Sequence, residues 1–229
     1  MPRAKKSLGQ NFLIDSAVIS QLVNYVNPGA NDLFLEIGPG KGAITKELLN
    51  KSRCTHAVEM DNDLSEELKK LENGNFYLHN ENILDFDPSK ISKNKLRVIG
   101  NLPYNISTPI MFWSFKYLEF FSDMHFMFQK EFGNRLIAKS DNKNFGRISV
   151  ITQYLTRPKF CFFIERESFS PKPKVESVFI RFEAIANRSI NDPISTKLQE
   201  ITQLAFMHKR KMVGKSFEKI ISGSELINL

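Results

Sequence analysis

The chemistry of this chain concentrates where an apolar run ends in Asn101-Leu102-Pro103-Tyr104. A side-chain amide, a rigid proline and an aromatic ring follow residues 96–100, which read as a buried strand. That grouping suits a planar base carrying an exocyclic amine. The asparagine oxygen can accept one N–H. A backbone carbonyl near Leu102 or Pro103, its direction set by the proline, can accept the other. Tyr104 offers a face for stacking. Taken alone, the tetrapeptide also reads as a strand-ending turn with Pro103 as its stop.

A second constellation is Glu36-Ile37-Gly38-Pro39-Gly40-Lys41-Gly42, between a strand-like run and a helix-like run. Gly38 and Gly40 let backbone approach a ligand closely. The G-x-G-x-G spacing is neither the usual dinucleotide fingerprint nor a P-loop. Glu59 follows Gly38 by 21 residues, at the end of the next strand, where a carboxylate can take two ribose hydroxyls. NAD would place a pyrophosphate at the helix N-terminus. Glu36, just before the turn, opposes that and suits a cationic, amino-acid-bearing ligand. S-adenosylmethionine, a sulfonium without phosphate, fits this description better. A tight turn with no ligand is the competing reading, and the acidic residue at the matching distance argues against it.

An amine facing a methyl donor needs no strong base. Two acceptors on the amine favour a more tetrahedral nitrogen and stabilise the positive charge that develops on it. In-line alignment of nitrogen, methyl carbon and sulfur supplies the rest. The stiff loop Phe169-Ser170-Pro171-Lys172-Pro173-Lys174-Val175-Glu176-Ser177 adds a second aromatic handle. Phe169 is placed to stack on the opposite face of an extruded base, with Lys172 and Lys174 on phosphates. A rigid hairpin with a core phenylalanine is the plainer alternative.

These groups need a sheet to carry them. Apolar patterning predicts helices at 17–26, 43–49, 64–71, 109–118, 131–138 and 148–155. It predicts strands at 33–37, 54–60, 75–78, 96–99 and 124–128, and a closing antiparallel pair at 160–164 and 177–182. The alternation implies an α/β fold with a parallel, doubly wound sheet. The glycine turn, Glu59 and Asn101 then converge at the carboxyl ends of the strands. Residues 186–193 read as a linker, and helices at 194–207 and 209–221 follow. The division is thus a main domain at 1–184 and a short helical subdomain at 185–229, too small for a core of its own.

With 229 residues, 41% apolar and 25% charged, the chain is globular, and its net charge of +7 favours a polyanionic partner. Cys54 and Cys161 form no ligand pair, and the four histidines have no metal-ligand spacing. No metal is expected. The basic N-terminus lacks the apolar core of a signal peptide, and no apolar run is long enough for a membrane span. A cytoplasmic protein is expected.

The motifs together resemble the ribosomal RNA adenine N6,N6-dimethyltransferases, the KsgA family, relatives of the Erm methyltransferases. The match runs through Lys6-Ser7-Leu8-Gly9-Gln10-Asn11-Phe12-Leu13, residues 35–42, 100–108 and 128–136, and the Phe169 loop. It covers nearly all of 5–184, and the NLPYNIST and MFQKEFGNRL stretches look more like KsgA than Erm. The resemblance implies a Rossmann-like class I S-adenosylmethionine-dependent sheet. It implies donor binding by Asn11, Leu13, Gly38, Gly40, Glu59, Met60, Asn82, Ile83 and Asn101. It places catalysis at Asn101, Leu102, Pro103, Tyr104 and Phe169. The implied reaction is dimethylation of two adjacent adenines in the 3′-terminal hairpin loop of small-subunit rRNA, by a monomer acting on an immature 30S particle. Two departures stand out. Asn82 occupies the position where the family carries an aspartate for the donor adenine, which leaves an acceptor without charge assistance or a role for Glu81. The family's C-terminal helical part is also longer.

Basic residues cluster at Arg3, Lys5 and Lys6, between Lys130 and Lys159, and at Lys209-Arg210-Lys211. Arg135, Arg147 and Lys174 are the preferred RNA contacts. Competing readings are an Erm-like large-subunit rRNA methyltransferase, a DNA adenine methyltransferase and a ribosome-assembly factor with weak catalysis. The DNA enzymes typically carry a second proline where Leu102 stands.

Overall fold

A seven-stranded sheet forms the centre of the computed structural model, which describes residues 4, 5 and 8–207. The strands in chain order are β1 (Phe12–Leu13), β2 (Leu33–Ile37), β3 (Cys54–Val58), β4 (Phe76–His79), β5 (Leu96–Asn101), β6 (Phe121–Gln129), β7 (Thr156–Ile164), β8 (Phe169–Ser170) and β9 (Ser177–Ala184). The α-helices are α1 (Ser16–Val26), α2 (Ala43–Leu49), α3 (Asn62–Leu68), α4 (Ser107–Lys116), α5 (Lys130–Leu136), α6 (Arg147–Leu155) and α7 (Pro193–Met207).

The main sheet runs β4-β3-β2-β5-β6-β9-β7, parallel from β4 to β6, with β9 antiparallel to both of its neighbours. Strand order reverses between β2 and β5, which opens a crevice at their carboxyl ends. Successive side chains alternate between two buried faces. Leu35, Val98, Phe126, Phe128, Val178 and Ile180 pack into one core with α4, α5 and α6. Phe34, Ile99, Met127 and Phe179 pack into the other with Leu22, Val23, Ile44 and Leu48 of α1 and α2. Cover on both faces explains why these strands read as continuous apolar runs.

Several boundaries differ from the sequence-based expectation. β3 ends at Val58, so Glu59 and Met60 lie in the turn beyond it. β6 starts three residues earlier than expected, at Phe121. β7 begins at Thr156 and runs through Pro158, which its position at the sheet edge allows. Asp15 and Asp61 cap α1 and α3 through their side chains.

A small second sheet escaped the sequence pattern: β1 pairs antiparallel with β8, Phe12 opposite Ser170 and Leu13 opposite Phe169. The linker at 186–193 packs on the main domain. Ile190 is buried in the core of the main domain, Gln199 donates to its carbonyl, and Phe145 meets Phe206 edge-on. The expected helix at 209–221 and the basic run Lys209-Arg210-Lys211 lie outside the described residues, as do Arg3 and Lys6.

Candidate active site

The crevice between β2 and β5 is lined from both sides. Glu36, Gly38 and Gly40 come from the glycine turn, Glu59 and Met60 from the end of β3, and Asn101 to Tyr104 from the end of β5. Gly38 and Gly40 have φ of 63° and 59°, the left-handed region that favours glycine. A Cβ on Gly40 would stand 3.0 Å from the Phe12 ring, so this turn and the N-terminal segment close on each other.

Two carboxylates face the crevice. Glu36 is 1% exposed and accepts from the Thr45 hydroxyl at 2.6 Å. Burial raises its pKa to about 7, the Thr45 hydroxyl opposes that rise and nearby Glu59 adds to it. Glu59 is 6% exposed and accepts from the Gly40 and Asp61 N–H groups at 3.2 and 2.9 Å. Its pKa is also raised by burial, with those N–H groups opposing the rise. Each Glu59 oxygen keeps a second lone pair, as two ribose hydroxyls require.

The N-terminal segment covers the crevice and is tied down at several points. Lys5 and Gln10 both reach Asp61, at 2.6 and 2.8 Å, and Lys5 also pairs with Asp63 at 2.8 Å. Lys5 thus pairs with two acids while its side chain stays exposed. The Asn101 amide donates through Nδ2 to the Asn11 carbonyl at 2.8 Å. Asn11 and Leu13 both line the crevice.

At the end of β5, the Pro103 carbonyl already accepts from the Ile106 N–H and the Ser107 hydroxyl, both at 3.2 Å. The Leu102 carbonyl has no such partner among the described residues. The Tyr104 hydroxyl meets the buried Ser177 hydroxyl at 2.8 Å, which fixes the ring against β9, and burial raises the phenol's pKa.

Other expected site residues sit differently. Asn82 lines the crevice, but its side-chain oxygen accepts from the Leu84 N–H at 3.1 Å, closing a tight local turn. That turn sends Ile83 into the core, 6% exposed, and leaves Leu84 on the crevice, so Leu84 replaces Ile83 as the lining residue. Phe169 is 3% exposed and packs with Leu13, Ile164 and Phe179. It is absent from the crevice lining, so the expected stack by Phe169 is not preformed. Its ring anchors the β1–β8 pair instead. Arg135 is exposed and paired with Glu131, and Lys174 is exposed on its loop. Arg147 opens α6 half-buried, with its Nε buried and unpartnered. Leu84 and Phe12 were missed as lining residues because neither a local turn nor a long-range strand pair leaves a sequence signal, and Asp61, expected as a helix cap, also holds Lys5 and Gln10.

Among the described residues, no cluster of three or more His, Cys, Asp or Glu is placed to hold a metal, and no helix is long and apolar enough to cross a membrane.

The sequence matches the family model described as Ribosomal RNA adenine dimethylase over residues 1–228. It is 38% identical over 227 residues to the Ribosomal RNA small subunit methyltransferase A of Dechloromonas aromatica (strain RCB), covering 99% of this chain and 89% of that protein. It is 40% identical to the protein of the same description in Nitrosococcus oceani, covering 99% and 88%. Among solved structures, a dimethyladenosine transferase from Plasmodium falciparum superposes with TM-score 0.80 at 23% identity, over 95% of this chain and 78% of that one. The 23S rRNA methyltransferase ErmE superposes with TM-score 0.76, also at 23% identity, over 95% and 88%. These two likenesses establish the methyltransferase fold, a Rossmann-like α/β sheet.

Proposed function

The chain belongs to the ribosomal RNA adenine dimethylase family, and on that premise we propose the details of its reaction. The enzyme is an S-adenosylmethionine-dependent rRNA adenine dimethyltransferase. Its target is the N6 amine of two adjacent adenines in the 3′-terminal hairpin loop of small-subunit rRNA. It acts as a monomer on an immature 30S particle in the cytoplasm.

When bound, the donor supplies an electrophilic methyl group on a sulfonium. Glu59 takes the ribose hydroxyls, Glu36 faces the cationic amino-acid end, and Gly38 and Gly40 give backbone access. The crevice fits such a molecule: two buried carboxylates favour a cation, and the cradle beside Gly40 has no room for a Cβ. Asn82 and Leu84 border the expected adenine end, with Asn82 accepting through its spare lone pair.

Asn101 and Leu102 then act on the substrate. In the first transfer the Asn101 Oδ1 and the Leu102 carbonyl accept the two N6 hydrogens, hold the nitrogen lone pair toward the methyl and stabilise the charge that develops; in the second, the one remaining N–H keeps one of these acceptors. The amine loses its proton only after the methyl has arrived, so no strong base is required. Tyr104 supplies the stacking face, held in angle by Ser177. Arg135, Arg147 and Lys174 are proposed phosphate contacts at the rim.

The observation that carries this reading is the single crevice shared by Glu36, Glu59 and an Asn101 amide locked by Asn11. Labelled methyl donor incubated with the protein and immature small subunits, naked large-subunit RNA or duplex DNA tests it. Label is expected in the small-subunit RNA. Label confined to large-subunit RNA overturns the substrate, and no label with retained small-subunit binding favours an assembly factor.

A further inference from the structure

Strand β7 is the outer edge of the sheet, and it leaves two phenylalanines in solvent, Phe160 at 41% and Phe163 at 46% exposure. In a regular strand, residues three apart point to opposite faces. Here the pairing with β9 shifts between Phe160 and Phe162. Cys161 and Phe162 both pack toward the α1 side, against the cluster that includes Tyr25. Phe160 and Phe163 are turned the other way together, and their ring centroids meet at 4.9 Å. A bulge re-aims side chains in this manner, often beside an active site.

The third member of the group is Lys130. Its Nζ stands 4.6 Å from the centre of the Phe163 ring and pairs with Glu176 at 2.6 Å. Of the neighbouring acids, Glu131 and Glu167 are paired with Arg135 and Lys172, and Glu165 is exposed with no ion pair among the described residues. Arg157 and Lys159 are exposed along the same strand.

The position relative to the base pocket follows from the register. Ile164, next to Phe163, lies opposite Ser177, and the Ser177 hydroxyl touches that of Tyr104. The two rings therefore sit on the same pole of the sheet as the crevice, three strand spacings from β5, roughly 14 Å.

We propose that Phe160, Phe163 and Lys130 form a second RNA subsite, where an unpaired base flanking the target adenine stacks while Lys130 meets its phosphate. Adjacent aromatic faces with a cation beside them are what unpaired bases bind. Two rings among charged residues are too small an apolar core for a stable protein interface. The subsite rests on the rRNA-methylating function proposed above.

The test uses the full chain and immature small subunits. Phe160→Ala with Phe163→Ala raises KM for the particle about five- to fifty-fold. Values of kcat and of donor Kd stay near wild type. The paired tyrosine substitutions at both positions restore KM, and the paired leucine substitutions do not. An unchanged KM, or leucines as good as tyrosines, overturns the subsite. Should the alanine pair lower the melting temperature, photoreactive p-benzoyl-phenylalanine at position 163 replaces it. A crosslink to rRNA is expected, and a crosslink to ribosomal protein alone, or none, overturns the proposal. A wild-type enzyme that labels no rRNA sinks the function itself. An active wild type with indifferent variants sinks only the subsite.

Discussion

The Asn101 amide donates to the Asn11 carbonyl at 2.8 Å, and that bond decides which end of the amide is left free in the crevice. With Nδ2 committed to the N-terminal segment, Oδ1 is the free end, and it is an acceptor. Asn101→Ala is expected to lower kcat by about a hundredfold or more, the scale of losing one oriented transition-state partner. RNA affinity, measured by filter binding, should change little. Wild-type turnover in that variant would exclude the acceptor role. Asn101→Asp should fare no better, because its carboxylate faces the Asn11 carbonyl with no N–H to offer.

As the proposed partner of the donor's ammonium, Glu36 carries a pH dependence whose sign follows from its burial. Its folded-state pKa of about 7 lies above the ordinary 4.5, because burial disfavours the charge. Below about pH 7 it is mostly protonated and offers no charge to the donor's ammonium. Donor affinity should therefore rise between about pH 6 and 8 and lose this rise in Glu36→Gln, as read by calorimetric titration. Ligand-free stability should move oppositely. The folded state holds the extra proton, so stability falls as pH climbs from 4.5 toward 7. Thermal melts that rise across that window would contradict the assignment.

Tyr104→Phe removes the hydroxyl that meets Ser177 but keeps the ring. A loss of about 1 kcal/mol in stability is expected, together with a kcat loss of a few fold as the ring angle loosens. Tyr104→Ala should instead raise KM for the particle strongly, since the stacking face itself is gone. Equal kinetic defects in the two variants would show that the ring is not the active part.

Gly100 joins the sheet to the site. A Cβ there would stand 2.8 Å from both the Ile37 carbonyl oxygen and a Leu102 methyl. Gly100→Ala should cost about 1–3 kcal/mol by denaturant titration and displace the Leu102 carbonyl, lowering kcat in the fraction that still folds. A variant of wild-type stability and kcat would mean that β2 and β5 can part without disturbing the tetrapeptide.

Much of this site was legible because its parts are local. The run from Leu96 into Asn101 announced a buried strand with a polar end, and the glycines around Pro39 announced a turn with backbone to spare. Glu59 followed from spacing alone. The failures share a different physics. Ile83 and Leu84 exchanged places because the Leu84 N–H donates to the Asn82 side-chain oxygen and closes a local turn. Phe169 read as a stacking handle or a core phenylalanine, and its packing in the core follows from a strand partner 156 residues earlier at Leu13, a contact that no local window contains. The ring pair at Phe160 and Phe163 depends on one slipped register position, which apolar patterning cannot encode.

The pairing of Phe12–Leu13 with Phe169–Ser170 has a consequence for how the enzyme comes into being. A ribosome makes the N-terminal segment first, yet that segment has no strand to lie against until residue 170 has left the exit tunnel. Five parallel strands can assemble in the meantime. A nascent or truncated chain ending before Phe169 would keep the ties of its N-terminal segment to Asp61 and Asn101 but lack the strand that pairs with Phe12–Leu13. The order of synthesis thus leaves the β1–β8 pair among the last contacts that the N-terminal segment can make.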